Sequence, residues 1–127
     1  MTRPLVLITG ASSGIGMAFA REFARHGWDC ALSARRRDRL EALAEELKAQ
    51  SGVNSVIAPA DLSDPAAPRA IIEEIGKAGR QIDGLVNNGG YGQPGGFIET
   101  DWETQARFLQ TMMTSYAELL HRLLPGM

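Results

Sequence analysis

The sequence predicts an α/β fold, a doubly wound parallel sheet. Three observations carry that expectation. Short apolar runs alternate with amphipathic stretches, about four times along the chain. The first run, Leu5-Val6-Leu7-Ile8, leads directly into Thr9-Gly10-Ala11-Ser12-Ser13-Gly14-Ile15-Gly16, which reads as strand, glycine turn, helix. Each later strand also ends in a polar or glycine-rich feature. Right-handed crossovers of this length join parallel strands and place helices on both faces of the sheet.

The elements follow in order. The first helix opens in the glycine turn, with Ile15, Phe19 and Phe23 recurring four apart, and Gly27 is its stop. Asp29 to Ala34 reads as the second strand. Arg35 to Lys48 is helical, with Leu40, Leu43 and Leu47 on one face, and Gly52 closes it. Val53 to Ala58 is the third strand. Ser63-Asp64-Pro65 is a helix-start signature, a capping oxygen followed by proline, and Ile71, Ile72 and Ile75 form that helix's stripe. Ile82 to Asn87 is the fourth strand. Thr100-x-x-Glu103 reads as a capping box for a last helix from about Asp101 to Leu124, ended by Pro125. That helix spreads Phe108, Leu109, Met112, Met113, Tyr116, Leu119, Leu120, Leu123 and Leu124 around much of its circumference. One face packs on the sheet; the rest is either a wide core face or a subunit interface.

A chain of 127 residues suits one domain and buries a real core. With 44% hydrophobic and 22% charged residues it reads as globular, and a net charge of −2 gives no footprint for nucleic acid. The apolar run before the first turn is too short for a signal-peptide core or a membrane span, so a cytoplasmic protein with no membrane partner is expected. Cys30 is the sole cysteine, a core thiol by its apolar neighbours, and His26 and His121 stand apart. Neither a disulfide framework nor a metal cluster is expected from them.

The glycine turn carries the first functional expectation. A helix that begins there aims free N–H groups and the positive end of its dipole at one point, and a diphosphate is the natural occupant. Gly10 permits the sharp turn, Gly14 lets backbone approach phosphate, and Gly16 lets the helix pack close. No Gly-Lys-Ser/Thr follows, which excludes the other common phosphate loop. Ligands of open parallel sheets bind past the carboxyl ends of the strands. Arg35, Asp61 and Asn87 through Gly90 all fall at that edge. A site preferring NAD places a carboxylate after strand two. Arg35 stands there instead, opening the run Arg35-Arg36-Arg37, which is either a solvated basic helix start or a site in which the Arg35 guanidinium suits a 2′-phosphate. Asp61 is either a plain helix-flanking carboxylate or an acceptor for the adenine amine, a contact its side chain or the Leu62 backbone supplies. Asn87 and Asn88 are either turn formers or part of a loop, with Gly89 and Gly90, that lets a ribose approach the main chain.

Together these residues resemble the short-chain dehydrogenase/reductase family. The resemblance rests on Thr9-Gly10-x-x-x-Gly14-Ile15-Gly16, Arg35, Asp61-Leu62, Asn87-Asn88-Gly89-Gly90 and Leu124-Pro125-Gly126-Met127. It implies a Rossmann-type sheet, truncated after the fourth βα unit, and hydride transfer between nicotinamide and an alcohol or carbonyl substrate. An arginine at position 35 implies NADP (NADPH). The implied cofactor-binding residues are Gly10, Ser12, Ser13, Gly14, Ile15, Gly16, Arg35, Asp61, Leu62, Asn87 and Gly89. The loop from Tyr91 to Phe97 resembles broad oxidoreductases of the family without revealing a substrate. Pairing of subunits through the helix 101–124, as a homo-oligomer, is also implied.

The sequence departs from the family pattern in three places. Gly89 replaces an alanine. The family's catalytic asparagine in the last helix falls near Met112, and no asparagine occurs in 101–127. A thioether cannot donate and accept as an amide does. The family's catalytic serine and Tyr-x-x-x-Lys lie beyond a fifth strand that would start after Met127, and neither Tyr91 nor Tyr116 is followed by that lysine. Residues 1–127 are therefore expected to be an incomplete NAD(P)-binding domain, inactive alone, with no catalytic residue of their own. A non-catalytic NADP-binding module or sensor is the alternative.

Overall fold

The computed structural model describes residues 2–127. Four strands form one all-parallel sheet in the order β3-β2-β1-β4: β1 (Leu5–Thr9), β2 (Asp29–Ser33), β3 (Ser55–Ile57) and β4 (Gly84–Val86). Helices α1 (Gly14–Arg25), α2 (Arg37–Ser51) and α3 (Ala67–Lys77) make the crossovers. The last helix comprises α4 (Trp102–Leu109), a π-helical turn (Gln110–Thr114) and α5 (Ser115–Leu123). None of the described helices is long and apolar enough to cross a membrane.

Every residue of β1 and β2 is buried, which explains the apolar runs Leu5–Ile8 and Cys30–Leu32 within them. Their side chains alternate between two cores. Val6, Ile8, Cys30 and Leu32 pack against Ala20 and Ala24 of α1 and Leu40, Leu43 and Leu47 of α2. Leu5, Leu7 and Ala31 face Ile71 and Ile75 of α3 and Leu119 of α5. The amino-terminal edge is pinned by Asp29, which is 3% exposed. Arg80 donates to its Oδ2 at 2.9 Å and the Asn54 N–H to its Oδ1 at 2.8 Å.

The structure shortens the expected strands, to Ser33 at the end of β2, Ser55–Ile57 in β3 and Gly84–Val86 in β4, shifts α2 to Arg37–Ser51, and moves other boundaries and faces as well. The apolar stripe of α1 is one position off. Gly16, Ala20 and Ala24 are buried, whereas Ile15 is 69% and Phe19 40% exposed, because only small residues fit where α1 lies close to the turn and sheet. Helix α3 starts at Ala67, with Pro68 in its first turn; Ser63-Asp64-Pro65 belongs to a preceding turn in which Asp64 Oδ1 accepts from the Ala66 N–H at 2.9 Å. The cap of α4 is Asp101, which accepts from the Thr104 N–H at 2.8 Å, while the Thr100 hydroxyl donates back to the Gly96 carbonyl. The last helix also widens at 110–114. There the Thr111 hydroxyl donates to the Arg107 carbonyl at 3.0 Å, a side-chain bond that competes with the backbone ladder.

Cys30 gives a direct check on this packing. Its thiol lies in the core within reach of the Ala20 carbonyl, and burial, with the nearby Asp29 charge, pushes its pKa up to about 12. Since thiolate is the reactive form, Cys30 should resist a disulfide exchange reagent at pH 8 in native buffer and react fully in denaturant. Fast native labelling would contradict the packing of β2 against α1.

Candidate cofactor-binding site

The glycine turn after β1 is built from close backbone approaches. Gly10 and Gly14 have φ of 64° and 55°, in the region glycine favours. A Cβ on Gly16 would stand 2.0 Å from the Gly10 carbonyl oxygen and 2.7 Å from Asn88 Nδ2. Gly16 therefore lets α1 begin against the turn itself, rather than only against the sheet. Open space faces Gly14, where a Cβ would meet nothing within 4 Å. Ser13 is the N-cap in extended conformation, yet its side chain makes no capping bond, and the first turn of α1 holds no acidic residue. Hydroxyl, helix N–H groups and dipole thus remain available to an anion.

The loop after β4 holds this turn in place. Thr9, fully buried, accepts at Oγ1 from the Asn88 and Gly89 N–H groups, both at 2.9 Å, and approaches the Val86 carbonyl at 3.4 Å. Asn88 Nδ2 donates to the Thr9 and Gly10 carbonyls, both at 3.3 Å. Asn87 Nδ2 reaches the Tyr116 carbonyl at 3.4 Å, while its Oδ1 is buried without a partner among the described residues. Tyr116 in turn donates its hydroxyl to the Gly89 carbonyl. A Cβ on Gly90 would stand 2.8 Å from the Met112 sulfur, so the thioether packs on the loop's backbone.

The third and fourth parts of the site carry charge. Arg35 is exposed just beyond β2. Arg36 reaches Asp38 and Arg37 reaches Glu41, both at 3.6 Å, but Arg35 makes no ion pair among the described residues. Asp61, beyond β3, accepts at Oδ1 from the Ser63 N–H at 2.9 Å and the Ser63 hydroxyl at 2.7 Å. Burial works to raise its pKa, but the Ser63 bonds and the charges of Arg107 and Arg35 together hold it below the usual carboxylate range. Leu62 is buried, and its carbonyl accepts from the buried Ser115 hydroxyl at 2.6 Å.

The sheet thus brings every expected site residue to its carboxyl edge: Gly10 through Gly16, Arg35, Asp61, Leu62, Asn87 and Gly89. Sequence reasoning gave no place in the site to Thr9, Arg107, Ser115 or the Tyr116 hydroxyl, and read Ser63 only as a helix cap. Thr9 had a signal, a hydroxyl closing an otherwise apolar buried strand. Arg107, Ser115 and Tyr116 lie far from their partners in sequence and carry none. A cavity of about 460 Å³ among Thr2, Arg3, Pro4, Arg80 and Asp83 lies at the opposite edge, where those polar groups already bond to one another.

The description short chain dehydrogenase belongs to the family model that matches residues 4–127. The chain belongs to the short-chain dehydrogenase family. Sulfoacetaldehyde reductase 2 of Chromohalobacter salexigens is 38% identical over 125 residues, covering 95% of this chain and 48% of that protein. Serine 3-dehydrogenase of Agrobacterium fabrum is also 38% identical over 125 residues, covering 94% and 47%. Among solved structures, L-sorbose reductase from Gluconobacter frateurii, complexed with NADPH and L-sorbose, superposes with a TM-score of 0.92 at 33% identity, over 100% of this chain and 48% of that one. A short-chain dehydrogenase from Sphingobium yanoikuyae in complex with NADPH gives 0.88 at 41% identity, over 97% and 48%. The chain spans about half the length of these short-chain dehydrogenase relatives.

Two measurements test the architecture of the turn. Thr9→Val takes the acceptor from the buried Gly89 N–H, a loss of about 1–3 kcal/mol, and one of two acceptors from the Asn88 N–H, which also reaches the Val86 carbonyl at 3.1 Å, so the urea midpoint should fall, while Thr9→Ser stays near wild type. Burial raises the Tyr116 pKa. The neutral phenol is the donor to Gly89, so this bond is complete below the ordinary tyrosine value of about 10 and is lost as pH rises through the higher folded value. Ultraviolet titration of wild type against Tyr116→Phe should show phenolate from this residue only above that ordinary value.

Proposed function

We propose that this chain is the NADP(H)-binding part of a short-chain dehydrogenase/reductase that moves hydride between nicotinamide and a small alcohol or carbonyl substrate. The observation that carries the reading is Arg35, a cation with no ionic partner of its own among the described residues, set beside a glycine turn whose N–H groups are also open. The residues present fit the group. Open space at Gly14 admits the diphosphate, and the N–H groups of Ile15 and Gly16, with the Ser12 and Ser13 hydroxyls, neutralise its charge. Arg35 pairs with the 2′-phosphate. Asp61 accepts from the adenine amine beside Leu62, and Asn87 and Gly89 let the ribose lie against the main chain. When bound, NADPH supplies the hydride; this chain's residues bind and orient it. The NADPH complexes of the two solved relatives support the same cofactor.

One observation favours a second reading, a non-catalytic NADP-binding module or sensor. Met112 stands where the family places an asparagine, and its thioether lies on Gly90. An amide there would donate and accept for a water relay, whereas a thioether accepts only weakly.

The helix of residues 102–124 supports a further expectation, pairing with a second copy. Trp102, Met113 and Leu124 are 64%, 63% and 57% exposed, and Leu109 and Leu120 share that surface. A cytoplasmic location accompanies this reading.

Fluorescence titration with NADPH and NADH tests the cofactor. Saturable binding that favours NADPH, with the preference reduced about tenfold or more in Arg35→Ala, is the expected result; an unchanged ratio would remove Arg35 from the site. For pairing, sedimentation should give a dimer or larger species at micromolar concentration, shifted toward monomer by Met113→Glu.

A further inference from the structure

The cluster of Asp61, Ser63 and Arg107 joins two segments distant in sequence. Arg107 lies on α4, forty-four positions along the chain from Ser63 in the loop after β3. Its Nη2 donates to the Ser63 hydroxyl at 3.0 Å and stands 3.7 Å from Asp61 Oδ2. Ser63 passes its own proton on, donating to Asp61 Oδ1 at 2.7 Å, with its N–H at 2.9 Å on the same oxygen. The result is a directed chain: guanidinium to hydroxyl to carboxylate. It assigns the two carboxylate oxygens different duties. Oδ1 is filled by Ser63, and Oδ2 keeps lone pairs for a further donor.

Fold stability does not explain this chain. Side chains of Arg107 and Asp61 are 65% and 43% exposed, and an exposed ion pair at such a distance contributes little. A carboxylate with one oxygen anchored is, by contrast, fixed about its terminal torsion, which is otherwise broad. Orientation of Oδ2 is therefore what the chain of hydrogen bonds supplies.

We infer that Arg107, acting through Ser63, is a positioning residue that holds Asp61 to read the exocyclic amine of the cofactor's adenine. This rests on the cofactor reading above. Arg107 and Arg35 then have separable effects: Arg35 acts on the 2′-phosphate, Arg107 on base identity. The same role accounts for why the hydroxyl of Ser63, and not only its N–H, faces the carboxylate.

The test uses three reduced dinucleotides: NADPH, NADH, and the hypoxanthine analogue of NADPH, which carries a carbonyl in place of the amine. Wild type should prefer NADPH to the hypoxanthine analogue about tenfold or more, the scale of one charge-assisted hydrogen bond. Arg107→Ala, and independently Ser63→Ala, should bring that preference toward one while leaving the NADPH/NADH ratio unchanged. Arg35→Ala should do the reverse. Thermal melting of the variants should lie close to wild type. An unchanged preference for adenine in both Arg107→Ala and Ser63→Ala would overturn the inference. So would a wild type that binds NADPH and its hypoxanthine analogue equally, although the cofactor reading would then stand. A folded wild type that binds no dinucleotide would remove both.

Discussion

The rest of the structure depends on one backbone approach, that of Gly16 to the Gly10 carbonyl. A side chain at Gly16 would place its first carbon 2.0 Å from that oxygen. Without the approach, α1 could not start where it does, and its small buried residues Ala20 and Ala24 would not reach the sheet. The same turn is held from the other side. Asn88 donates to the Thr9 and Gly10 carbonyls, and the Thr9 hydroxyl accepts from the loop that Asn88 begins. Turn and loop are thus mutually dependent, although nearly eighty residues separate them in sequence.

The last helix serves as the buttress for this pair of loops. Ser115 bonds to the Leu62 carbonyl, Tyr116 to the Gly89 carbonyl, and Asn87 to the Tyr116 carbonyl. Both helix residues, Ser115 and Tyr116, lie within one helical turn past the π-helical segment. A π turn inserts one residue relative to the α ladder and rotates everything after it. The widened segment therefore sets which residues face the loops. With it, Met112 lies on Gly90 while Met113 points outward.

The alternation of strands and helices, the parallel crossovers and the location of the site edge were legible because each has a local cause. Continuous apolar runs mark strands buried on both faces, and glycine marks positive φ at Gly10, Gly14, Gly27 and Gly52. What was not legible depended on distant partners. Ile15 and Phe19 read as core because their spacing is helical, but helical spacing alone does not say which side meets the sheet. That is decided by how closely the backbone approaches, and Gly16, Ala20 and Ala24 win because they are small. Ser63 read as a helix cap from its neighbours Asp64 and Pro65. Its hydroxyl is instead engaged by Asp61 and Arg107, and no local pattern announces a residue forty-four positions away. The π turn was hidden for a related reason: a threonine at position 111 is ordinary in a helix until its hydroxyl finds the Arg107 carbonyl.

The site divides into two parts by material. The part around Gly10 to Gly16 is mostly backbone, and backbone N–H groups with a helix dipole recognise negative charge without regard to what carries it. The part around Arg35 and Asp61 is side chain, and under the proposed cofactor reading it is the part that would tell one nucleotide from another. These two groups carry opposite charge and act on one another, since Arg35 contributes to the low pKa of Asp61. An exposed guanidinium beside an exposed carboxylate would ordinarily collapse into an ion pair. Here the carboxylate is already engaged by Ser63 and faces Arg107. Arg35 and Asp61 thus remain separate groups, one without an ionic partner among the described residues and one held by Ser63, and under the proposed cofactor reading each addresses its own part of the nucleotide.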